Sequence, residues 1–137
     1  MANNKSIGVA FLDQDIIGAQ YILSDEQLGY TAAAQGTVTQ ATSKSTGVTL
    51  NKPAGVITMN NASLATVTNA TFTLTNSFIS ANDTLILTLA SGQTTPGSYN
   101  VFVNAVAAGT ASITLRNISG GSLSEAIVVN FAIIHCV

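Results

Sequence analysis

Apolar and polar residues alternate at every second position through much of the chain after Gly36. The stretch Thr71-Phe72-Thr73-Leu74-Thr75 shows the pattern without interruption. Ser98-Tyr99-Asn100-Val101-Phe102-Val103-Asn104 and Ser112-Ile113-Thr114-Leu115-Arg116 repeat it. Successive side chains of a strand point to opposite faces, so this period of two predicts strands with one buried face. Five further strands are expected at 37–40, 46–50, 56–59, 84–90 and 125–135. Thr and β-branched residues fill these runs, as a pleated surface favours.

Turn chemistry separates the runs. Lys52-Pro53-Ala54-Gly55, Ser80-Ala81-Asn82-Asp83, Thr95-Pro96-Gly97 and Ser119-Gly120-Gly121 each lie between apolar stretches. Ala107-Ala108-Gly109 is a softer break, read as a hairpin between a strand ending at Val106 and one starting at Thr110. Seven or eight strands at this spacing predict an all-β domain, a β-sandwich or jelly-roll-like knob over residues 37–137. Strand order stays open, so an immunoglobulin-like sandwich fits equally well.

The last run departs from alternation. Ala126-Ile127-Val128-Val129 and Phe131-Ala132-Ile133-Ile134 are apolar on both faces. Such a strand is covered on both sides. It is expected either to lie centrally beneath the N-terminal segment or to meet another subunit.

Residues 1–36 differ in character. They hold five of the chain's ten charged residues, Lys5, Asp13, Asp15, Asp25 and Glu26. Their apolar residues come in clumps rather than in alternation. Ser24 to Gln27 has the spacing of a capping box, so a short helix is expected to start there and to stop at Gly29. Ile7 to Phe11 alternates loosely enough for a short strand. The segment is too apolar for free solvent and too irregular for a domain of its own. It reads as an extended N-terminal arm that docks on another surface. The expected docking residues are Ile7, Val9, Phe11, Ile16, Ile17, Tyr21 and Ile22.

Charge changes the picture of partners. Only 7% of residues are charged, against about 25% in ordinary domains. A nucleic-acid surface needs clustered Lys and Arg, and four basic residues in 137 do not supply it. With 47% hydrophobic residues the chain is not of the disordered class. A nearly neutral surface lets many copies crowd together with little repulsion. No apolar run approaches the ~20 residues that a membrane helix needs. The apolar run from Ile7 to Leu12 ends at Asp13, too short for a secretory signal, so synthesis in the cytoplasm without cleavage is expected.

The search for reactive chemistry returns little. His135 is the only histidine and Cys136 the only cysteine, and neighbours on a strand point apart. They read as a loose chain end, and one His with one Cys cannot make a zinc site unaided. Asp13 with Asp15, and Asp25 with Glu26, form acidic pairs outside any calcium-loop motif, so they read as solvated. Asp83 sits in a turn, and Glu125 is expected to open the last strand as a charged edge. Tyr99 is in phase with Val101 and Val103 and reads as core. Lys44, Lys52 and Arg116 are too few to track phosphates. No nucleotide-binding or serine-hydrolase motif is present. The expectation is a protein without enzymatic activity, catalytic residues, metal or cofactor.

Some stretches carry a resemblance. Gly36-Thr-Val-Thr-Gln-Ala-Thr-Ser-Lys-Ser-Thr-Gly-Val-Thr-Leu-Asn-Lys-Pro53 and Gly55-Val-Ile-Thr-Met-Asn60 resemble a family of small structural proteins of tailed phages, including cyanophages. So do Phe72-Thr-Leu-Thr-Asn-Ser77, Ala105-Val-Ala-Ala-Gly109, Thr114-Leu-Arg-Asn117, Gly121-Ser-Leu-Ser-Glu-Ala126 and Asn130-Phe-Ala-Ile133. The resemblance implies a capsid cement or decoration protein, a jelly-roll-like homotrimer on the outer surface of the virion head. Its implied partner is the major capsid protein, with no nucleic acid and no membrane. The alternative is a tail-fibre, spike or other receptor-binding domain, which shares the trimeric β architecture. The first 36 residues fall outside the resemblance.

Overall fold

The computed structural model describes residue 25 and residues 27–136. Eight strands form: β1 (Gln35–Thr39), β2 (Val48–Thr49), β3 (Ala54–Thr58), β4 (Asn69–Thr75), β5 (Thr84–Ser91), β6 (Tyr99–Ala107), β7 (Thr110–Asn117) and β8 (Val128–Ile134). Every strand run expected from the alternation holds one of them. The run at 46–50 shrinks to two residues. The run at 125–135 starts its strand at Val128, because Glu125 is turned aside by the contacts described below.

The strands make two mixed four-stranded sheets, in the orders β1-β3-β8-β5 and β2-β4-β7-β6. The first is called sheet A here and the second sheet B. Each begins with a parallel pair, β1 with β3 and β2 with β4, and is antiparallel elsewhere. The chain changes sheet at every connection except one. That exception is the β6–β7 hairpin, where Ala107 pairs with Thr110 across Ala108-Gly109. Gly109 supplies the positive φ of 77° that this tight loop requires. The hairpin tip is tied down, since Gly109 N donates to Ile79 O and Asn76 N donates to Gly109 O.

The inner faces of the two sheets meet in one core. Ile57, Val129, Phe131 and Ile133 of sheet A pack with Phe72, Leu74, Ile113 and Leu115 of sheet B, all nearly free of solvent. Burying each such side chain contributes roughly 1.5–3 kcal/mol. Tyr99 belongs to this core, as its phase predicts. Ile127, Met59 and Leu64 close one end. Ahead of β1, a short 3-10 turn at Ala32–Ala34 leads out of residues 27–31, which carry no regular structure. The helix start expected at Ser24 is therefore not continued at Gln27. β8 lies in the middle of sheet A, between β3 and β5.

Candidate docking surface

The outer faces of the two sheets contrast. On sheet B, β4 presents Asn69, Thr71, Thr73 and Thr75, and β7 presents Thr110, Ser112, Thr114 and Arg116 in register with them. Hydroxyls satisfy one another here, as Thr71 Oγ1 and Thr114 Oγ1 do at 2.8 Å. On sheet A, the outward residues mix Thr58, Asn130, Thr84 and Thr88 with Val56 of β3, Val128, Ala132 and Ile134 of β8, and Ile86 of β5. Ala132 stands between Ala54 and Ile86 in register, and Ile134 stands opposite Thr84. Ile86 and Ile134 are about half exposed, at 49% and 51%.

The segment before β1 crosses this apolar end. The Tyr30 hydroxyl donates to the Ile133 carbonyl, and Leu28 beside it is exposed. Leu28, Gly29 and Tyr30 form one wall, and Ala132 to His135 the other, of an open apolar groove of about 420 Å3. The double apolar character of β8 is thus explained in part. The strand is central, and residues 28–30 lie over its end. Val128 and Ala132 remain half-buried and Ile134 exposed. The docking residues expected from the sequence, Ile7, Val9, Phe11, Ile16, Ile17, Tyr21 and Ile22, lie outside the described residues.

A polar pair borders the groove. His135 Nδ1 donates to Asp83 Oδ1 at 2.8 Å. Asp83 also accepts from Ser80 N at 2.8 Å and from Cys136 N at 3.0 Å. The three donors, the Ser80 amide foremost, hold the Asp83 carboxyl below its ordinary range. The chain end is therefore anchored rather than loose, which corrects the sequence reading of His135 and Cys136. With Nδ1 committed to Asp83, Nε2 is the ring nitrogen left free of that contact, on a side chain 54% exposed. Asp83 and His135 lie 52 positions apart, and nothing in the sequence pattern announces their meeting.

A second polar cluster lies in the loops around Lys44, a residue only 3% exposed. Its ammonium donates to the carbonyls of Asn60, at 2.6 Å, and of Glu125. Gln40 braces the same loop, donating to Lys44 O and Thr46 O and accepting from Asn60 N. Burial pulls the Lys44 amine below its usual value, and the Glu125 charge opposes that shift. Glu125 Oε1 accepts from Thr94 N at 2.6 Å. The Thr94 side chain and amide lead the contacts that hold this carboxyl low. Glu125 is thus a half-buried loop staple and not the exposed strand edge expected from the sequence. Tyr99 Oη and Glu125 Oε2 are both buried without a hydrogen-bond partner in good geometry. Burial first, and the Glu125 carboxylate second, push the Tyr99 phenol up to about 12.

These two clusters hold loops and the chain end in place. Among the described residues, no group of three His, Cys, Asp or Glu side chains could hold a metal ion. Among the described residues, no helix is long and apolar enough to cross a membrane. Comparison with known protein families, with curated proteins and with solved structures finds no match. The apolar end of sheet A around Ala132 and Ile134, with its groove, is the surface best suited to a partner.

Proposed function

We propose that this chain is a structural virion protein, a capsid cement or decoration protein that stabilises a tailed phage's head. The observation that carries the reading is the exposed apolar end of sheet A, where Leu28, Tyr30 and Ile134 line a groove. Singly exposed apolar residues are ordinary, but a contiguous group beside a groove marks an interaction surface. The sequence resemblance supplies the phage and the capsid. The partner is the major capsid protein, and the chain acts as a homotrimer on the outer surface of the head. Contacts shared among several neighbours, from the knob and from residues 1–36, give avidity. They must break before capsid subunits part, which is how a rigid sandwich without reaction chemistry strengthens a shell.

The test is cosedimentation of purified protein with phage heads that lack it. The full chain is expected to bind. A chain without residues 2–24 keeps every described contact of the sandwich and is expected to fold yet bind weakly. Equal decoration by the truncated chain refutes docking through the arm. Failure of the full chain to bind heads refutes the cement reading itself.

A receptor-binding domain is the second reading, favoured by the hydroxyl-rich outer face of sheet B around the exposed Phe102. Such a face can hydrogen-bond sugar hydroxyls while an aromatic ring packs on the sugar. Saturable binding of the isolated protein on a glycan array, lost in Phe102→Ala, would favour it over the cement.

A further inference from the structure

We infer that the side of the sandwich formed by β5 and β6 is where copies of this chain join. This rests on the homo-oligomer in the proposed function but not on its place on a capsid. The two long sides of the sandwich are built differently. One ends in β1 and β2, five and two residues long. The other ends in β5 and β6, eight and nine residues long, which pack against each other. Among the described residues, β5 pairs only with β8 and β6 only with β7. Each edge therefore offers a row of backbone N–H and C=O groups to solvent.

Natural sheets guard such edges with charge, proline, short strands or bulges. Here the sequence from Thr84 to Leu115 contains no Asp, Glu, Lys or Arg. That is 32 consecutive residues between Asp83 and Arg116, and both edge strands fall inside it. Bulges are present, at Leu89/Ser91 in β5 and at Val103/Ala105 in β6. They leave Thr84–Leu89 and Tyr99–Val103 in regular register, six and five residues each. Six residues of strand span roughly 20 Å, enough to pair with a neighbour. Ile86 and Phe102 are partly exposed on these strands.

The occupant that fits is a second copy. A partner must bring a strand edge, an apolar surface and no charge. The same side of another molecule brings all three. A charge in the seam would need an opposite charge placed across it. An uncharged seam avoids this. Around a three-fold axis, β5 of one copy would face β6 of the next, and both strands are neutral.

Native mass spectrometry and sedimentation of the purified full chain, with no capsid present, test this. The wild type is expected at a multiple of its 14.0 kDa chain mass. Ile86→Lys with Thr88→Lys places charge on exposed positions of β5 and is expected to give the single-chain mass with the circular dichroism of the folded protein. Thr73→Lys, on the outer face of sheet B, is expected to keep the wild-type assembly. Hydrogen exchange gives the second readout, since β5 edge amides should be slower in the assembly than in the dissociated variant. A monomeric wild type overturns the inference. A monomer whose β5 edge is nevertheless protected would assign that edge to the chain's own first residues, and also overturns it. An assembly untouched by both lysines overturns it too.

Discussion

Lys44 reaches across the loop end of the sandwich to the backbone carbonyl of Glu125, 81 residues further along the chain. The same ammonium holds Asn60, so one side chain joins three separate segments. Replacing it with Met keeps most of the volume and strands two carbonyls without a donor. Buried groups left unsatisfied cost roughly 1–3 kcal/mol each. Lys44→Met is expected to lower unfolding stability by about 2–4 kcal/mol, read from the urea midpoint at constant m. A loss below about 0.5 kcal/mol would show that water satisfies the carbonyls and that the staple is dispensable.

Tyr99 sets the alkaline limit of the fold. Its phenol titrates near 12 in the folded chain, against an ordinary value of 10.0. Between these values the unfolded chain has released a proton that the folded chain keeps, so stability falls as pH rises. The contribution is complete below pH 10 and is lost by about pH 12. Tyr99→Phe is expected to remove this part of the slope. At neutral pH the same substitution deletes a buried hydroxyl with no partner in good geometry. It should leave stability unchanged or raise it by about 1 kcal/mol. A clear loss at neutral pH would mean that the phenol bonds to Glu125 after all.

Asp83 and Glu125 set the acid limit. Both carboxyls are held below their ordinary values of 3.8 and 4.5 by donors that exist only in the folded chain. Once pH drops through that range, the unfolded chain takes up protons more readily than the folded one, and stability declines. The contribution is fully present above about pH 5. Asp83→Asn is expected to flatten this acid slope and to loosen the chain end, seen as faster exchange of the Cys136 amide. An unchanged slope in Asp83→Asn would rule out the carboxylate as the acid-sensitive tie.

Val67 carries a backbone strain that substitution can relieve. Its φ is 51°, in the left-handed region that β-branched residues avoid, and the side chain is 62% exposed. Asn accepts this conformation and sacrifices no buried contact here. Val67→Asn is expected to raise stability by about 1 kcal/mol, or Tm by about 3 °C. No gain in thermal unfolding would place the residue's side chain in a contact worth as much as the strain.

The sequence by itself determined where the strands are. Alternation is a local signal with a period of two, so Thr71 to Thr75 or Ser112 to Arg116 needs no knowledge of its neighbours to declare one wet and one buried face. The β6–β7 hairpin was legible for the same reason, because its turn and both strands are contiguous. The chemistry-poor composition was equally plain, and so was the different character of residues 1–36. Only the tertiary structure decided which strands pair. Six of seven connections change sheet, and no residue within a strand records the partner it will meet after such a crossing. The parallel pairs β1–β3 and β2–β4 arise in this way. Polar burial was also invisible in advance. Lys44 and Glu125 look like surface charges, because their partners come from segments 16 to 81 residues away, and Asp83 joins its near neighbour Ser80 to the amide of Cys136, 53 residues on. A charge is drawn inside only when distant carbonyls and amides converge on it, and convergence is a property of the folded chain alone.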